Sequence, residues 1–480
     1  MNLDNLIAIL PLAALIFWAV LVLLVDLWIP KGRKSITAIL TTGGLALSLG
    51  LTLAQNGRTT MAFGGMVVVD GFAVFLNVIF LASGLAAVAL AYDYLKRMDL
   101  ERGEYYALLL FSISGMMLMA YASDLIIVFL ALELLSIPLY VLAGFARPRT
   151  DSEESSLKYF LLGAFASGFV LYGVAMIFGA TARTDLAGIV AAMNSGTGNP
   201  LLFTIGAVLL LVGFGFKVAA VPFHMWTPDV YQGAPTPVTG FMSVAVKAAG
   251  FTALLRVFAT IFRGDIYADL WPILWGMAAL TMIAGNVLAI SQRNIKRLLA
   301  YSSIAHAGYL LMAFVPYGTQ YLGDAIASTL FYLIGYGLTS FGAWAVVIAM
   351  EKAEARGLDI EDYAGLGRRY PWLGLSMIVF MLSFTGIPLT LGFWGKFYLF
   401  RTAVEGGYLS LALVGLLTSI VSAYYYLRVL VIMYMKTGEP VAKGGAWINI
   451  LAVVAAAAVV LLALIPGPIL ELVSKALMLQ

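Results

Sequence analysis

Blocks of about 20 apolar residues, each long enough to cross the hydrocarbon core of a bilayer, alternate with short polar connections. They place spans at about 6–29, 35–54, 71–92, 105–122, 125–146, 157–182, 200–222, 235–262, 271–291, 300–316, 324–350, 372–400, 406–435 and 447–474. That makes fourteen. The pattern predicts an all-α integral membrane protein.

Two of these blocks are interrupted. The seventh runs Gly213-Phe-Gly-Phe-Lys217 to Pro222, and the twelfth runs Gly386-Ile-Pro388 to Gly395-Lys396. Proline removes an amide donor and clashes one turn back, which frees the carbonyls of Val218 and Phe384. In lipid, freed carbonyls must face protein or water. Pro138 interrupts the fifth block in the same manner, and the three prolines are expected helix breaks. The breaks at Pro222 and Pro388 lie five spans apart, and each has a lysine close by. Because five is odd, a repeated five-span unit is inserted upside down the second time. Spans 4–8 and 9–13 therefore read as inverted repeats, an architecture in which ion sites form at discontinuous helices. The organisation that follows is an N-terminal three-helix segment (1–104), a first repeat (105–262), an inverted second repeat (271–435) and a C-terminal helix (436–480).

Composition agrees with lipid as the solvent. Hydrophobic residues make up 62% of the chain and charged residues 11%, with a mean hydropathy of +0.97. Soluble domains carry about 25% charge. No cleavable signal peptide is evident before the first span. Seventeen of the 28 Lys and Arg fall in alternate connections, among them Arg33, Arg97, Arg149, Arg297, Arg369 and Lys443. The positive-inside rule makes that set cytoplasmic and turns both termini outward. The chain has no cysteine and two histidines, His224 and His306, so thiolate-held iron–sulfur clusters and disulfides are excluded. No phosphate-cradling loop or zinc spacing appears, and the basic connections fit anionic lipid rather than nucleic acid.

Six basic residues fall inside spans: Lys158, Lys217, Lys247, Arg256, Lys396 and Arg428. A charge at the bilayer centre costs about 2.5–3.5 kcal/mol on the lenient insertion scale. Arg256, Arg428, Asp26 and Glu471 read as structural pairs or snorkelling side chains. Lys217, Lys247 and Lys396 lie deep and read as functional. Glu133 sits mid-span; facing a buried lysine it can hold its charge, and such a pair titrates as a unit. Asp151 to Glu154 reads as a capping box opening the sixth span, with Glu154 and Lys158 at i, i+4. Glu154, Lys158, His224 and His306 are possible accessories. Pro388 is followed by Gly392 and Gly395 beside Lys396, which leaves room for water.

Three stretches carry a family resemblance. They are Leu130-Ala-Leu-Glu133-Leu-Leu-Ser-Ile-Pro138-Leu-Tyr140, the run from Gly215-Phe-Lys217 through Trp226-Thr-Pro228-Asp229 to Pro237-Val, and Asn294-Ile-Lys296-Arg297 to His306-Ala-Gly308. Over about residues 70–440 the chain resembles the antiporter-like subunits of respiratory complex I. Gln480 without a long lateral helix beyond, and lysine rather than glutamate at 396, point to the N-type subfamily. The resemblance implies a proton-translocating subunit of an NADH:quinone oxidoreductase in the cytoplasmic membrane, with no cofactor of its own. It makes Glu133 and Lys217 a working pair, Lys247 the connecting group and Lys396 the terminal lysine of the proton relay, with no metal. NADH, FMN, iron–sulfur clusters and quinone are then expected in partner membrane and peripheral subunits. The alternative reading is a subunit of a Mrp-type cation/proton antiporter.

Overall fold

The apolar blocks form helices because a backbone in lipid must satisfy its own hydrogen bonds. A computed structural model describes residues 3–352 and 356–476; residues 1–2, 353–355 and 477–480, and with them both chain ends, lie outside the description. Three spans come first: α1 (Leu3–Asp26), α2 (Ser35–Leu53) and α3 (Gly71–Arg97). Between the last two, β1 (Thr60–Ala62) pairs antiparallel with β2 (Val67–Val69), Thr60 opposite Val69. Next are α4 (Glu104–Tyr121), α5 (Leu125–Ala143), α6 (Thr150–Thr181), the short α7 (Leu186–Asn194) and α8 (Pro200–Val218). After the first break come α9 (Trp226–Gly233), α10 (Thr236–Phe241), a π-helical turn at Met242–Val246 and α11 (Lys247–Ile261). The second half holds α12 (Asp265–Ile290), α13 (Ile295–Phe314), α14 (Leu322–Met350), α15 (Leu366–Arg369), α16 (Pro371–Thr385), α17 (Leu391–Glu405) and α18 (Leu409–Met435). Helices α19 (Ala446–Leu464) and α20 (Pro466–Ser474) close the chain.

Thirteen helical segments among the described residues are long and apolar enough to cross a membrane. The twelfth expected span is met by α16 and α17, two half-helices of 15 residues each. The two five-span groups pack alike. α4 lies on α5 as α12 lies on α13, α5 meets α6 as α13 meets α14, and α11 returns to α4 as α18 returns to α12. The segments Thr236–Ile261 and Ile295–Gly318 are each 94% buried over their apolar stretch, against 33% for Leu3–Asp26 and Ala446–Leu464. The two groups meet where α9 packs on α13 and where α10 and α11 pack on α14, and the first and last spans are the least buried.

Several expectations need correction. α5 passes through Pro138 without a break; one lost hydrogen bond bends a membrane helix but does not end it when the neighbouring turns hold. The expected capping box is absent, because α6 begins at Thr150 and Asp151 instead pairs with Arg149 at 2.5 Å. The last span stops at Leu464, where Pro466 and Pro468 end the helix and turn α20 aside. Near the chain ends, Asp26 binds Lys34 at 2.6 Å and Glu471 pairs with Lys475, both structural roles as expected.

Candidate functional site

Each broken helix ends on the same backbone device. At the end of α8, Ala219 adopts a left-handed conformation (φ 62°); its N–H bonds the Phe216 carbonyl at 3.1 Å and that of Ala220 bonds the Gly215 carbonyl at 2.8 Å. At the end of α16, Gly386 (φ 87°) donates to Ser383 at 3.0 Å and Ile387 to Leu382 at 3.0 Å. This paired pattern satisfies two of the terminal carbonyls and leaves the final one bare. A lysine takes that carbonyl in both halves. Lys247 Nζ reaches Val218 O at 3.4 Å and Ser303 O at 2.7 Å. Lys396 Nζ reaches Thr385 O at 2.9 Å and Ser419 Oγ at 2.7 Å. A cation is favoured at a helix C-terminus, where carbonyl dipoles converge. Sequence reasoning placed the second freed carbonyl at Phe384; the helix continues one residue further, to Thr385.

Close backbone approach makes these bonds possible. A Cβ on Gly250 would stand 2.8 Å from Val218 Cγ1, so its absence lets α11 lie against the end of α8. A Cβ on Gly386 would stand 2.9 Å from Lys396 Cδ. The glycines expected to leave room for water are largely occupied by protein: Ser383 backbone lies over Gly392 and the Tyr332 ring over Gly395. What remains is a cavity of about 10 Å³ bordered by His306, Tyr336, Ser383 and Phe384, about the space of a single water.

Lys217 is buried on α8 but does not touch Glu133. Its ammonium donates to Ser136 Oγ at 2.7 Å and to Tyr159 Oη at 3.3 Å. Ser136 stands one turn after Glu133 on α5, between the expected partners. Glu133 is half-buried, and its Oε1 has no hydrogen-bond partner. The expected contact pair therefore does not form.

His306 lies between Lys247 and Lys396. Its Nδ1 bonds Tyr332 and its Nε2 meets Tyr426 Oη at 3.1 Å. Tyr336 donates to Ser303 Oγ at 2.9 Å, the residue whose carbonyl holds Lys247. Lys396 also lies over the Tyr309 ring at 4.8 Å. The row is thus completed by hydroxyls that the sequence reading did not assign: Ser136, Tyr159, Ser303, Tyr332, Tyr336 and Ser419. A signal existed in Tyr332 and Tyr336, which lie four apart in an apolar span and so share one helix face.

Three accessory residues stand apart from this row. Lys158 is partly exposed, held by Glu154 at 2.6 Å and Asp229 at 2.7 Å. Arg297 grips the other oxygen of Asp229 at 2.7 Å. Burial pushes the Asp229 carboxyl up, but the hydrogen bonds from Lys158 and Arg297 outweigh it and hold the group below its usual range. His224 follows the first break, half-buried, with Nδ1 unpartnered. Arg256 forms a buried pair with Asp70 at 2.6 Å, and Arg428 binds the Ile290 carbonyl at 2.9 Å, both structural roles as expected. A crevice of about 860 Å³ is lined in part by Arg256 and Arg263 and by none of the three deep lysines.

Comparison with known proteins agrees with this geometry. Residues 122–422 match the family model described as NADH:quinone oxidoreductase/Mrp antiporter, TM. The NADH-quinone oxidoreductase subunit N of Chloroflexus aggregans is 45% identical, over 97% of this chain and 96% of its own. That of Trichlorobacter lovleyi is 48% identical over 96% and 94%. A chain of respiratory complex I from Thermus thermophilus superposes with a TM-score of 0.83 and 38% identity, covering 97% of this chain and 99% of its own. A chain of the Mrp complex from Dietzia shares the fold, with a TM-score of 0.85 at 20% identity. Near-full-length identity of this order, joined to two broken helices each capped by a buried lysine, places the chain in the NADH-quinone oxidoreductase subunit N family, the antiporter-like proton-pumping membrane subunits of respiratory complex I.

Proposed function

We propose that protons move through this chain along a buried relay in which Glu133, Lys217, Lys247 and Lys396 gain and lose protons. His306 stands between the last two. The observation that carries this reading is the placement of Lys247 and Lys396, each on the bare terminal carbonyl of a broken helix. An ammonium there is held by the helix dipole, and a neutral amine is not. Protonation of either lysine is thereby tied to the position of its half-helix. Hydroxyls that both donate and accept bond two of these lysines, Ser136 and Tyr159 at Lys217 and Ser419 at Lys396; Lys247 is held by the backbone carbonyl of Ser303, whose own hydroxyl accepts from Tyr336. The alike packing of the two five-span groups supports reading 105–262 and 271–435 as inverted repeats, between the segment 1–104 and the closing 436–480.

The driving reaction belongs to partners. NADH, FMN, iron–sulfur clusters and quinone sit in other subunits of the complex, and their redox steps shift charge along the lysine row. The chain lies in the cytoplasmic membrane with both termini outward. Removing one buried charge leaves its surroundings unpaired, at a cost of about 3–5 kcal/mol or a compensating proton. Lys217→Ala should therefore lower proton translocation per NADH oxidised in reconstituted vesicles, in a complex that still assembles. Translocation at the wild-type ratio would make the Glu133–Lys217 arrangement static.

A further inference from the structure

Lys247 stands on a helix that the second five-span group holds from two sides. α10, the π turn and α11 form one continuous span, Thr236–Ile261. At its entry, Pro235 (φ −53°) stiffens the backbone between Ala234 and Thr236. Lys296, buried in the first turn of α13, donates to the Ala234 carbonyl at 2.7 Å. Glu351 follows the last residue of α14 and is 1% exposed. It accepts from the Thr236 hydroxyl at 2.5 Å and from Tyr94 Oη at 3.2 Å. Two buried charges of opposite sign thus close on the two residues that flank one proline.

Both elements hold the span a second time, at matching spacing. Seven residues after Lys296 on α13, the Ser303 carbonyl accepts from Lys247 at 2.7 Å. Seven residues before Glu351 on α14, Trp344 Nε1 donates to Ser243 Oγ at 2.9 Å, and Ser243 lies seven residues after Thr236. Seven residues make about two helical turns, so each element meets the span along one of its own faces. Ser243 belongs to the π turn, which lies between the entry and Lys247; such turns recur at functional sites inside helices. Hydrogen bonds from or to a charged group are roughly twice as strong as neutral ones, and both entry bonds are of that kind. The register they set matters at Lys247. Its reach to the Val218 carbonyl is already 3.4 Å. A slide of one residue moves a helix by about 1.5 Å, more than a bond of that length tolerates.

We propose that Lys296 and Glu351 are positioning residues for Lys247. Their grip on Ala234 and Thr236 sets how far the α10–α11 span stands along α13 and α14. That register holds the Lys247 ammonium within reach of the broken end of α8. The clamp itself carries no proton. It ties a relay lysine of the first five-span group to the packing of the second. This role rests on the lysine relay proposed above.

The test uses the whole complex in proteoliposomes and reads protons translocated per NADH oxidised, beside the rate of NADH oxidation. A fault of assembly or stability removes working complexes and lowers both fluxes together, so their ratio stays. A displaced Lys247 lowers the ratio. Thr236→Val removes the hydroxyl that Glu351 holds and no charge; Lys296→Met removes the donor to Ala234. Each should lose much of the ratio that Lys247→Ala loses, and Thr236→Ser, which keeps the hydroxyl, should hold it near wild type. A wild-type ratio in either Thr236→Val or Lys296→Met, with Lys247→Ala impaired, would overturn the clamp and leave the relay standing. A loss in Thr236→Ser equal to that in Thr236→Val would overturn it as well. A wild-type ratio in Lys247→Ala would overturn the relay itself. If Lys296→Met fails to assemble, the Thr236 variants decide alone: a lowered ratio in Thr236→Val, restored in Thr236→Ser, supports the clamp, and a wild-type ratio in Thr236→Val overturns it.

Discussion

At the scale of single residues, the informative outcome is the pair that did not meet. Glu133 and Lys217 were both legible as charges within apolar spans, and the proposed relay uses both. Their direct contact was not legible, because a one-dimensional pattern cannot say which side chain fills the space between two helices. Ser136 fills it, with its hydroxyl 2.7 Å from the lysine. Ser136→Ala leaves a buried ammonium short of one acceptor, at a cost of about 1–3 kcal/mol. We expect slower proton translocation with normal assembly, and restoration by Ser136→Thr; an unchanged rate in Ser136→Ala would remove the hydroxyl from the route. Asp229 gives a pH-dependent test outside the membrane spans. Its carboxyl sits below its usual range because Lys158 and Arg297 donate to it. A lowered folded-state pKa contributes stability above the unfolded value, and that contribution is lost as pH falls through the lowered one. Wild type and Asp229→Asn should thus differ in thermal midpoint at pH 7 and converge in acid. A gap that stays constant with pH would contradict this. The side chain is about a third exposed, so the difference should be small.

At the scale of elements, the breaks at Pro222 and Pro388 were legible because each proline has a lysine near it in an otherwise apolar run. Pro138 has a similar setting and breaks nothing, since its neighbouring turns keep their bonds. What the sequence pattern could not show was the geometry of the breaks: a left-handed residue, two carbonyls satisfied by backbone and one by a distant lysine. Gly386 tests that geometry. A Cβ at this φ costs about 1–2 kcal/mol, and it would also press on Lys396. Gly386→Ala should lower both the thermal midpoint of the complex and its proton translocation. Retention of both would mean that the lysine does not depend on the shape of the break. The short β-hairpin and α7 were missed because neither is long or apolar enough to stand out between spans.

At the scale of the whole molecule, where two five-span groups meet at a buried seam, the spans and their grouping followed from apolar block length, the proline breaks and the basic residues in alternate connections. The polar network at that seam did not, because His306, Tyr332, Tyr336 and Tyr426 come from three different spans and meet only in the folded chain. The proposed topology, which rests on the charge bias, has both termini outward, so a reporter fused after Gln480 should be active on the non-cytoplasmic side alone; a cytoplasmic signal would remove one span. The central claim is that the buried lysines carry protons and not only charge. Arginine keeps the charge but does not release a proton in this pH range, so Lys396→Arg separates the two. The measurement is protons translocated per NADH oxidised by the reconstituted complex, with Lys396→Arg set beside Lys396→Ala and wild type. The relay predicts that the arginine variant loses translocation nearly as badly as the alanine variant; near-normal translocation by Lys396→Arg would contradict it.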